Sequence, residues 1–352
     1  MAEFHEIAGA IHVHSNFSDG SKPIPEIASE GLRMGLDYLM VSDHNTLEPK
    51  RQGFEGWYDK LLVLIGYEIN DQDDRNHYLA FRLAGEVPAG LDAEGYVKAV
   101  HQNGGFGIIA HPAEKRSFSE AYPPYPWTDW HVNDFQGIEI WNQLSEWMEG
   151  ISFTNFLWRI LHPLRSIRFP EWETLSRWDA FNRTRRVVGI GGIDVHAFEH
   201  KLFGLFSVTI YPYKVQFKSI RTHLLIREPL QQPNGEPVPF EKAESLMFEA
   251  LENGRCFIVN RSLGDGRGFV FRGENQKGPI EMGERVKLNG ETVNLQCEIP
   301  AKGFIRLMRN GKPVVFHKGK QLFYHTRDKG VYRIEVHRKR RGWIYSNPIV
   351  LT

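Results

Sequence analysis

Short apolar runs that end in histidine, aspartate or glutamate recur through the first two hundred residues of the chain. The first run, residues 7–11, predicts a short buried strand, and it places His12 and His14 near the strand end with both side chains on one face. A Ser-Asp-Gly turn follows and can fold the Asp19 carboxylate back toward these imidazoles. A His-x-His pair alone also suits two buried histidines without a special role. The recurrence of the pattern makes a metal site the better interpretation.

Four later apolar runs end in the same residue types. Residues 38–41 lead to His44, residues 61–65 to Glu68, residues 106–110 to His111, and residues 187–193 to Asp194 and His196. His77 begins a further predicted strand after a polar turn. Strands that alternate with helices, as at residues 23–35 and 93–103, predict a parallel α/β architecture, and in barrels of this type functional groups collect where the strand C-termini meet the loops. Residues 217–226 and 240–253 are predicted to be the last two helices of this region.

The chain changes character in two places. An aromatic and basic stretch at about residues 150–182 is predicted to be a helical insert that covers the barrel, in preference to a nucleic-acid platform. From residue 269 onward, apolar and polar residues alternate with period two, and Asn310-Gly311 is a hairpin signal. We therefore predict two domains, 1–268 and 269–352, of which the second is a small, sandwich-like all-β domain. The basic run at residues 337–341 is predicted to be a solvated hairpin tip, in preference to a phosphate-backbone contact.

Composition excludes several classes of function. The formal charge is zero, because 43 Lys and Arg residues balance 43 Asp and Glu residues. This balance argues against a protein that coats nucleic acid or an anionic membrane, so an anionic substrate would be bound locally. Cys256 and Cys297 lie far apart and match no Cys-x-x-Cys pattern, which predicts buried thiols in a reducing compartment. The chain shows no signal peptide and no apolar run of transmembrane length, so a cytoplasmic protein is expected.

Five motifs of the chain resemble, in their order, those of the PHP (polymerase and histidinol phosphatase) family of metal-dependent phosphoesterases. They are His12-Val13-His14-Ser15-Asn16-Phe17-Ser18-Asp19-Gly20, Ser42-Asp43-His44-Asn45-Thr46, Gly66-Tyr67-Glu68-Ile69, Ala110-His111-Pro112 and Gly192-Ile193-Asp194-Val195-His196. The resemblance covers about residues 7–270. It implies a distorted (β/α)7 barrel that holds two or three divalent ions at the C-terminal ends of its strands.

The resemblance also implies three sets of metal ligands. The first ion would be held by His12, His14 and Asp194, with Glu68 bridging it to a second ion; His111 and His77 would complete the second site, and Asp19, His44 and His196 would hold a third ion. Asp19 stands where some relatives have histidine. Glu139 matches a variable position of the family and has no assigned role, and His131 is also left without one. Imidazole and carboxylate ligands suit Zn, Mn and Fe alike.

The implied reaction is hydrolysis. Such an ion cluster lowers the pKa of bound water, and a hydroxide that bridges two ions would attack a phosphomonoester or small nucleotide, with Asp194 or His196 handling its proton. Lys115 and Arg116 are expected either to meet the substrate phosphate or to be exposed loop charges. Asp43 and Asn45 flank a ligand and could orient the imidazoles.

Two alternatives stay open at the level of sequence. The same cluster could hydrolyse a carboxylic ester, a carbamate or an amide. The chain could also be a non-catalytic metal-binding module whose β domain recruits a partner, although the intact ligand set argues against this. The expected partner is therefore a small phosphorylated molecule, with neither an extended nucleic-acid surface nor a membrane.

Overall fold

The computed structural model describes residues 4–118, 123–197, 199–202 and 206–352. The strands of the first 268 residues are β1 (His5–Val13), β2 (Tyr38–His44), β3 (Gly56–Tyr58), β4 (Leu61–Ile69), β5 (Tyr78–Phe81), β6 (Phe106–Ile109), β7 (Gly137–Asn142), β8 (Val188–Gly192), β9 (Glu199–Leu202), β10 (Phe206–Thr209), β11 (Ile220–Ile226) and β12 (Cys256–Asn260). The helices are α1 (Ile24–Arg33), α2 (Glu48–Arg51), α3 (Ala93–Gln102), α4 (Gln143–Glu149), α5 (Phe156–Leu161), α6 (Pro163–Ser166), α7 (Trp172–Thr184), α8 (Tyr213–Gln216) and α9 (Phe240–Glu252). A 3₁₀ turn, Arg261–Leu263, follows β12, and the C-terminal part consists of β13 (Val270–Asn275), β14 (Gly278–Ile280), β15 (Arg285–Val286), β16 (Val293–Arg309), β17 (Lys312–Thr326), β18 (Gly330–Arg338), β19 (Arg341–Ser346) and β20 (Ile349–Leu351).

The protein is a mixed α/β structure built on one large sheet. Strands β1, β2 and β4 run parallel to one another, as do β6, β7 and β8. Strand β5 is antiparallel to both β4 and β6, which departs from the predicted parallel order. The reason is the short link at residues 70–77, because a parallel crossover needs about a dozen residues or more.

The end of β8 lies beside the end of β1. The Ile193 N–H donates to the Ile11 carbonyl at 3.0 Å, and the His14 N–H donates to the Val195 carbonyl at 3.1 Å. An isolated parallel bridge joins Val13 to Val195. These bonds bring the His-x-His segment and the Asp-x-His segment side by side, although they are far apart in sequence.

Both faces of the sheet are buried along β2, β4, β6, β7 and β8, which explains the nearly continuous apolar runs of these strands. Along β2, Leu39 and Val41 pack into one apolar cluster, which includes residues of α1 and α3. The alternate residues Tyr38 and Met40 pack into a second cluster, which includes residues of α9. The strand ends are therefore held by a packed core.

The predicted helix at residues 217–226 is wrong. Residues Ile220–Ile226 form β11, which pairs antiparallel with β1 on one side and β12 on the other. The Thr222 hydroxyl also donates to the Gly191 carbonyl at 2.8 Å, which ties β11 to β8. Pairing on both sides overrides the local periodicity on which the helix was predicted. The helix predicted at residues 240–253 is confirmed as α9.

Strand pairing crosses the predicted domain boundary at residue 268. Strand β19 pairs with β12, with Phe257 opposite Ser346. The Asn347 side chain exchanges two hydrogen bonds of 2.8 Å with the backbone of Gly189 in β8. The predicted hairpin at Asn310-Gly311 is confirmed, since β16 and β17 pair up to Arg309 and Lys312. Cys256 and Cys297 are buried free thiols, as expected. Among the described residues, no helix combines the length and apolar character needed to cross a bilayer.

Candidate metal centre

All nine predicted metal ligands lie in one connected cluster. Four overlapping groups have donor atoms that all lie within 4.8 Å of one another: His12, His14 and Asp194; His12, Glu68 and His111; His44, Glu68 and His77; and His14, Asp19, His44 and His196. Most of these residues lie at the ends of β1, β2, β4 and β8 or in the loops that follow these strands. The strand ends thus concentrate imidazole and carboxylate groups that could bind divalent metal ions.

Glu68 lies at the centre of this cluster and is buried. Its two oxygens face different imidazoles: Oε2 lies 3.0 Å from His12 Nε2, 3.2 Å from His14 Nε2 and 3.5 Å from His44 Nδ1, whereas Oε1 lies 2.8 Å from His77 Nδ1 and 3.1 Å from His111 Nε2. Each oxygen therefore faces its own set of imidazole nitrogens. A carboxylate in this arrangement can bridge two cations.

The separations among the donor atoms fit a small cation. Asp194 Oδ1 lies 3.4 Å from both His12 Nε2 and His14 Nε2. Two ligands about 2.1 Å from a tetrahedral ion are about 3.4 Å apart. The donor set around His12, His14 and Asp194 therefore fits a divalent ion without rearrangement.

His14 is buried, and neither of its ring nitrogens makes a hydrogen bond with the described residues. His77 Nε2 and His111 Nδ1 are also buried without such a bond. Buried polar atoms in proteins are usually paired, so each exception requires an explanation. For His14, a bound cation would supply the missing partner.

Asp19 joins the cluster through its turn, as the sequence predicted. Its Oδ2 lies 3.1 Å from His196 Nε2 and 3.7 Å from His44 Nε2. Its side chain is 51% exposed, whereas the imidazoles of the first group are buried. This third group is therefore the one most open to solvent.

Asp43 and Asn45 form hydrogen bonds with loop residues and not with the imidazoles. The Asp43 carboxylate accepts hydrogen bonds from the Ser15 N–H at 2.7 Å and the Ser18 hydroxyl at 2.6 Å. Asn45 donates to the Asn70 side chain at 2.7 Å. Asp43 thereby holds the turn that carries Asp19, and the expected imidazole contacts are not found among the described residues.

Glu139, which had no role at the level of sequence, orients His12. Its carboxylate lies 3.2 Å from His12 Nδ1 and accepts hydrogen bonds from the His111 N–H at 2.7 Å and from the Asn142 amide at 2.9 Å. Because a carboxylate accepts, Glu139 favours a proton on His12 Nδ1, which would leave Nε2, on the side of Glu68, to bind an ion. The sequence analysis missed Asn142. It ends β7 and is the N-cap of α4, and this position points to the site only once β7 is known to end at the cluster.

The structure places His131 away from the cluster. Its side chain is 68% exposed, and its nearest carboxylate, Glu94, lies 3.8 Å away on the surface. It is a surface histidine.

Three of the clustered residues have backbone conformations that are rare for L-amino acids. The φ angles are +68° at His12, +24° at His111 and +53° at Asp194. Each such residue costs on the order of 1–3 kcal/mol, and such strain collects at functional sites. The fold therefore maintains this geometry at a cost in stability.

Opposite charges dominate the electrostatics of the cluster. Burial alone would raise the pKa of the Glu68 carboxyl, but the facing imidazoles, His12 foremost, hold that pKa well below its ordinary value. The pKa of Asp194 is lowered against its burial in the same way. Burial would lower the pKa of His14, but the carboxylates of Asp194 and Glu68 raise it to about 10. A cation that binds at neutral pH therefore meets ionised carboxylates and displaces a proton from His14.

A cavity of about 430 Å³ opens onto the cluster. Its wall includes Arg116, whose guanidinium bonds to Glu114 and lies over the Tyr125 ring. Lys115 is not part of this wall; it is 60% exposed and its ammonium pairs with Glu173 at 3.1 Å. Of the two predicted phosphate contacts, the structure brings only Arg116 to the cavity.

Two solved structures resemble this chain, both at low sequence identity. No family model matches it, and no curated protein matches it. Among solved structures, a two-domain protein from Bacteroides vulgatus ATCC 8482 that contains a predicted PHP-like metal-dependent phosphoesterase has 17% identity and a TM-score of 0.47, with 98% of this chain and 95% of that chain covered. A candidate metal-dependent phosphoesterase from Bifidobacterium adolescentis ATCC 15703 has 15% identity and a TM-score of 0.34, with 53% of this chain and 87% of that chain covered. At these TM-scores, the function has to be inferred from the side chains of this site.

The position of Glu139 leads to a test by substitution. We expect Glu139→Gln to lower metal affinity by about 10–100-fold, because a neutral amide whose oxygen accepts from His111 and Asn142 presents its NH2 group to His12 Nδ1 and no longer favours a proton there. Competition with a chromogenic chelator measures this affinity. The matched control is Glu94→Gln on the surface, which should leave the affinity unchanged, and equal affinities for both variants would contradict the orienting role of Glu139.

Proposed function

We propose that this protein is a metal-dependent phosphoesterase that hydrolyses a phosphomonoester or a small nucleotide with two or three divalent ions. The observation that carries the proposal is the environment of Glu68, whose two oxygens face separate sets of imidazoles. We also propose that residues 1–268 form a distorted (β/α)7 barrel and that residues 269–352 form a small all-β domain.

The nine clustered residues divide into three proposed ligand sets. His12, His14 and Asp194 would hold the first ion, His77 and His111 the second, and Asp19, His44 and His196 the third, with Glu68 shared between the first two. When bound, divalent ions of this kind lower the pKa of a coordinated water and neutralise charge on a phosphoryl group. The mixed donors suit Zn, Mn or Fe.

Asp194 and His196 are the proposed proton-handling residues. His196 Nε2 lies 3.1 Å from Asp19 Oδ2, and its Nδ1 lies 3.5 Å from Asp194 Oδ1. All three side chains line the cavity. The imidazole can therefore accept a proton at the cavity and share it with a carboxylate, as general acid–base catalysis requires.

Arg116 is the proposed substrate contact. Its guanidinium is 9% exposed at the cavity wall, so it can meet a phosphate that enters there. We expect Arg116→Ala to keep its full metal content and to raise KM about tenfold, because the lost contact acts on substrate binding. Steady-state kinetics and metal analysis on the same preparation measure both quantities.

Lys115→Ala is the matched control for Arg116→Ala. Its ammonium is exposed and paired with Glu173, so its loss should leave KM unchanged. A KM that rises equally in both variants would show a general charge effect and would contradict a specific role for Arg116.

Hydrolysis of a carboxylic ester, carbamate or amide is the competing reaction. A panel of p-nitrophenyl phosphate, bis-p-nitrophenyl phosphate and p-nitrophenyl acetate on Mn-loaded and Zn-loaded protein separates the two. We expect the phosphomonoester to have the highest kcat/KM, together with loss of activity after chelation. Metal-dependent turnover of the acetate alone would replace the phosphoesterase proposal, and no turnover of any substrate would favour a non-catalytic module.

A further inference from the structure

A second cavity, of about 610 Å³, is lined almost entirely by cations. Within the first 268 residues, the end of α1 supplies Arg33, the segment from the end of α8 into β11 supplies Lys218 and Arg221, and the 3₁₀ turn supplies Arg261. The helical insert supplies Arg165, and the β18–β19 turn supplies Lys339 and Arg341. The cavity shares no lining residue with the cavity at the metal centre. Five separate segments of the chain thus converge on one basic pocket.

Most of these cations have no carboxylate partner among the described residues. Among the described residues, Arg261 pairs with Asp265 at 3.6 Å, whereas the other six have no carboxylate within ion-pair distance. No aspartate or glutamate lines the cavity. Seven cations on one concave surface create a positive local potential that attracts an anion.

Arg221 makes this a preformed site rather than a group of flexible surface charges. The residue is 6% exposed, and its guanidinium donates to the carbonyls of Met34 at 2.7 Å, Phe217 at 3.0 Å and Gly35 at 3.2 Å. Burial lowers the pKa of Arg221 to about 10, and the neighbouring Arg261 cation also lowers it. A buried guanidinium is thus fixed in the pocket wall by neutral acceptors, without a carboxylate to neutralise it.

We propose that this cavity binds a compact anion that carries two or more phosphate groups. One phosphate group supplies only about −1.5 to −2 charges at neutral pH, so six unpaired cations call for several phosphates. The volume lies within the range of small-molecule pockets, about 300–1,000 Å³. Met34 and Leu164 are its apolar lining residues, and no aromatic ring is available to stack a base, which disfavours single-stranded nucleic acid.

The basic run at residues 337–341 thereby gains a function. The structure confirms that it forms a hairpin turn, as the sequence predicted. Two of its members, Lys339 and Arg341, line the cavity, whereas Arg340 does not. The turn is therefore a wall of the pocket as well as a solvated tip.

The test uses tripolyphosphate as the probe and metal-free protein in EDTA. We expect saturable one-to-one binding by calorimetry, and orthophosphate should bind at least about tenfold more weakly because it bridges fewer cations. The variant Lys218→Glu/Lys339→Glu reverses two exposed lining charges and should weaken tripolyphosphate binding at least about tenfold. The control Lys312→Glu/Arg340→Glu makes the same change in net charge at exposed residues outside the cavity, and it should bind as the wild type does.

Thermal melting provides a second readout that does not depend on calorimetry. Tripolyphosphate should raise the Tm of the wild type and of the control, because a ligand of the native state stabilises it, but not that of the cavity variant. Unchanged binding in the cavity variant would place the anion elsewhere and overturn the proposal. Equal weakening in both variants, or tighter binding of a short DNA duplex than of tripolyphosphate, would overturn it as well.

Discussion

Glu68→Gln should lose bound metal and activity together. The carboxylate of Glu68 is buried between two sets of imidazoles, and its negative charge offsets the repulsion between cations only a few ångströms apart. Neutral glutamine keeps the shape but removes the charge, so we expect at least one ion fewer per chain. We also expect kcat/KM to fall by about 10³-fold, the effect of losing several kcal/mol of metal-ion stabilisation. Metal analysis and steady-state kinetics on reconstituted protein measure the two losses.

Glu139→Gln is the matched comparison. It makes the same chemical change at a carboxylate that contacts a proposed ligand, His12, but is not itself a proposed ligand. Glu139 touches His12 Nδ1, whereas Glu68 faces His12 Nε2. The Glu139 variant should keep its ion count at saturating metal, unlike the Glu68 variant. If Glu68→Gln kept all its ions and a near-normal rate while Glu139→Gln lost both, Glu139 would be the shared carboxylate and the proposed centre would be wrong.

Arg333→Met should destabilise the protein by about 3–5 kcal/mol, because it leaves a buried carboxylate without its counterion. Arg333 in β18 is 2% exposed, and it donates to the two oxygens of Asp179 in α7 at 2.8 and 2.9 Å and to Glu335 at 2.6 Å. Without the guanidinium, the Asp179 carboxylate has no partner among the described residues. Urea denaturation measures the free energy of unfolding, which should recover in part when Asp179→Asn is added.

Arg309→Met is the control on the surface. Arg309 pairs with Asp328, and their side chains are 32% and 63% exposed, so water and salt screen the pair. Its loss should cost less than about 1 kcal/mol. If the two arginine variants were equally stable, the Arg333 network would not be what joins the helical insert to the C-terminal strands.

The sequence predicted which side chains come together, because most of them lie in a local motif at the end of an apolar run. A strand end is a local feature, and parallel strands bring such ends together at one edge of a sheet. His12, His44, Glu68 and Asp194 were placed by this rule alone. The rule needs no knowledge of which strands are neighbours.

The parts that sequence analysis missed depend on contacts between distant segments. Strand β11 was predicted to be a helix because its identity depends on pairing with β1 and β12. Glu139 had no assigned role because its contacts with His12 and His111 exist only once three strands are adjacent. Lys115 and Arg116 are adjacent in sequence, yet only one lines the cavity. The basic pocket combines five segments that are far apart in sequence, and nothing in the sequence indicates that they meet.

Strand pairing across residue 268 also changes the expected effect of a truncation at that residue on metal binding. Every proposed ligand precedes residue 269, so the two-domain prediction alone implies that the first domain keeps its metals when the rest is removed. Removal of residues 269–352 would deprive β12 of its partner strand β19, and it would deprive the backbone of Gly189 of its hydrogen bonds with Asn347. The two parts share buried hydrogen bonds, so the full chain is the unit in which the metal centre should be studied.

An anomalous difference map from crystals of the metal-loaded full chain tests the central claim most directly. The proposed function predicts at least two peaks, one among His12, His14 and Asp194 and one beside His77 and His111, with Glu68 between them. A single peak, or none, at full metal loading would contradict the proposed metal centre.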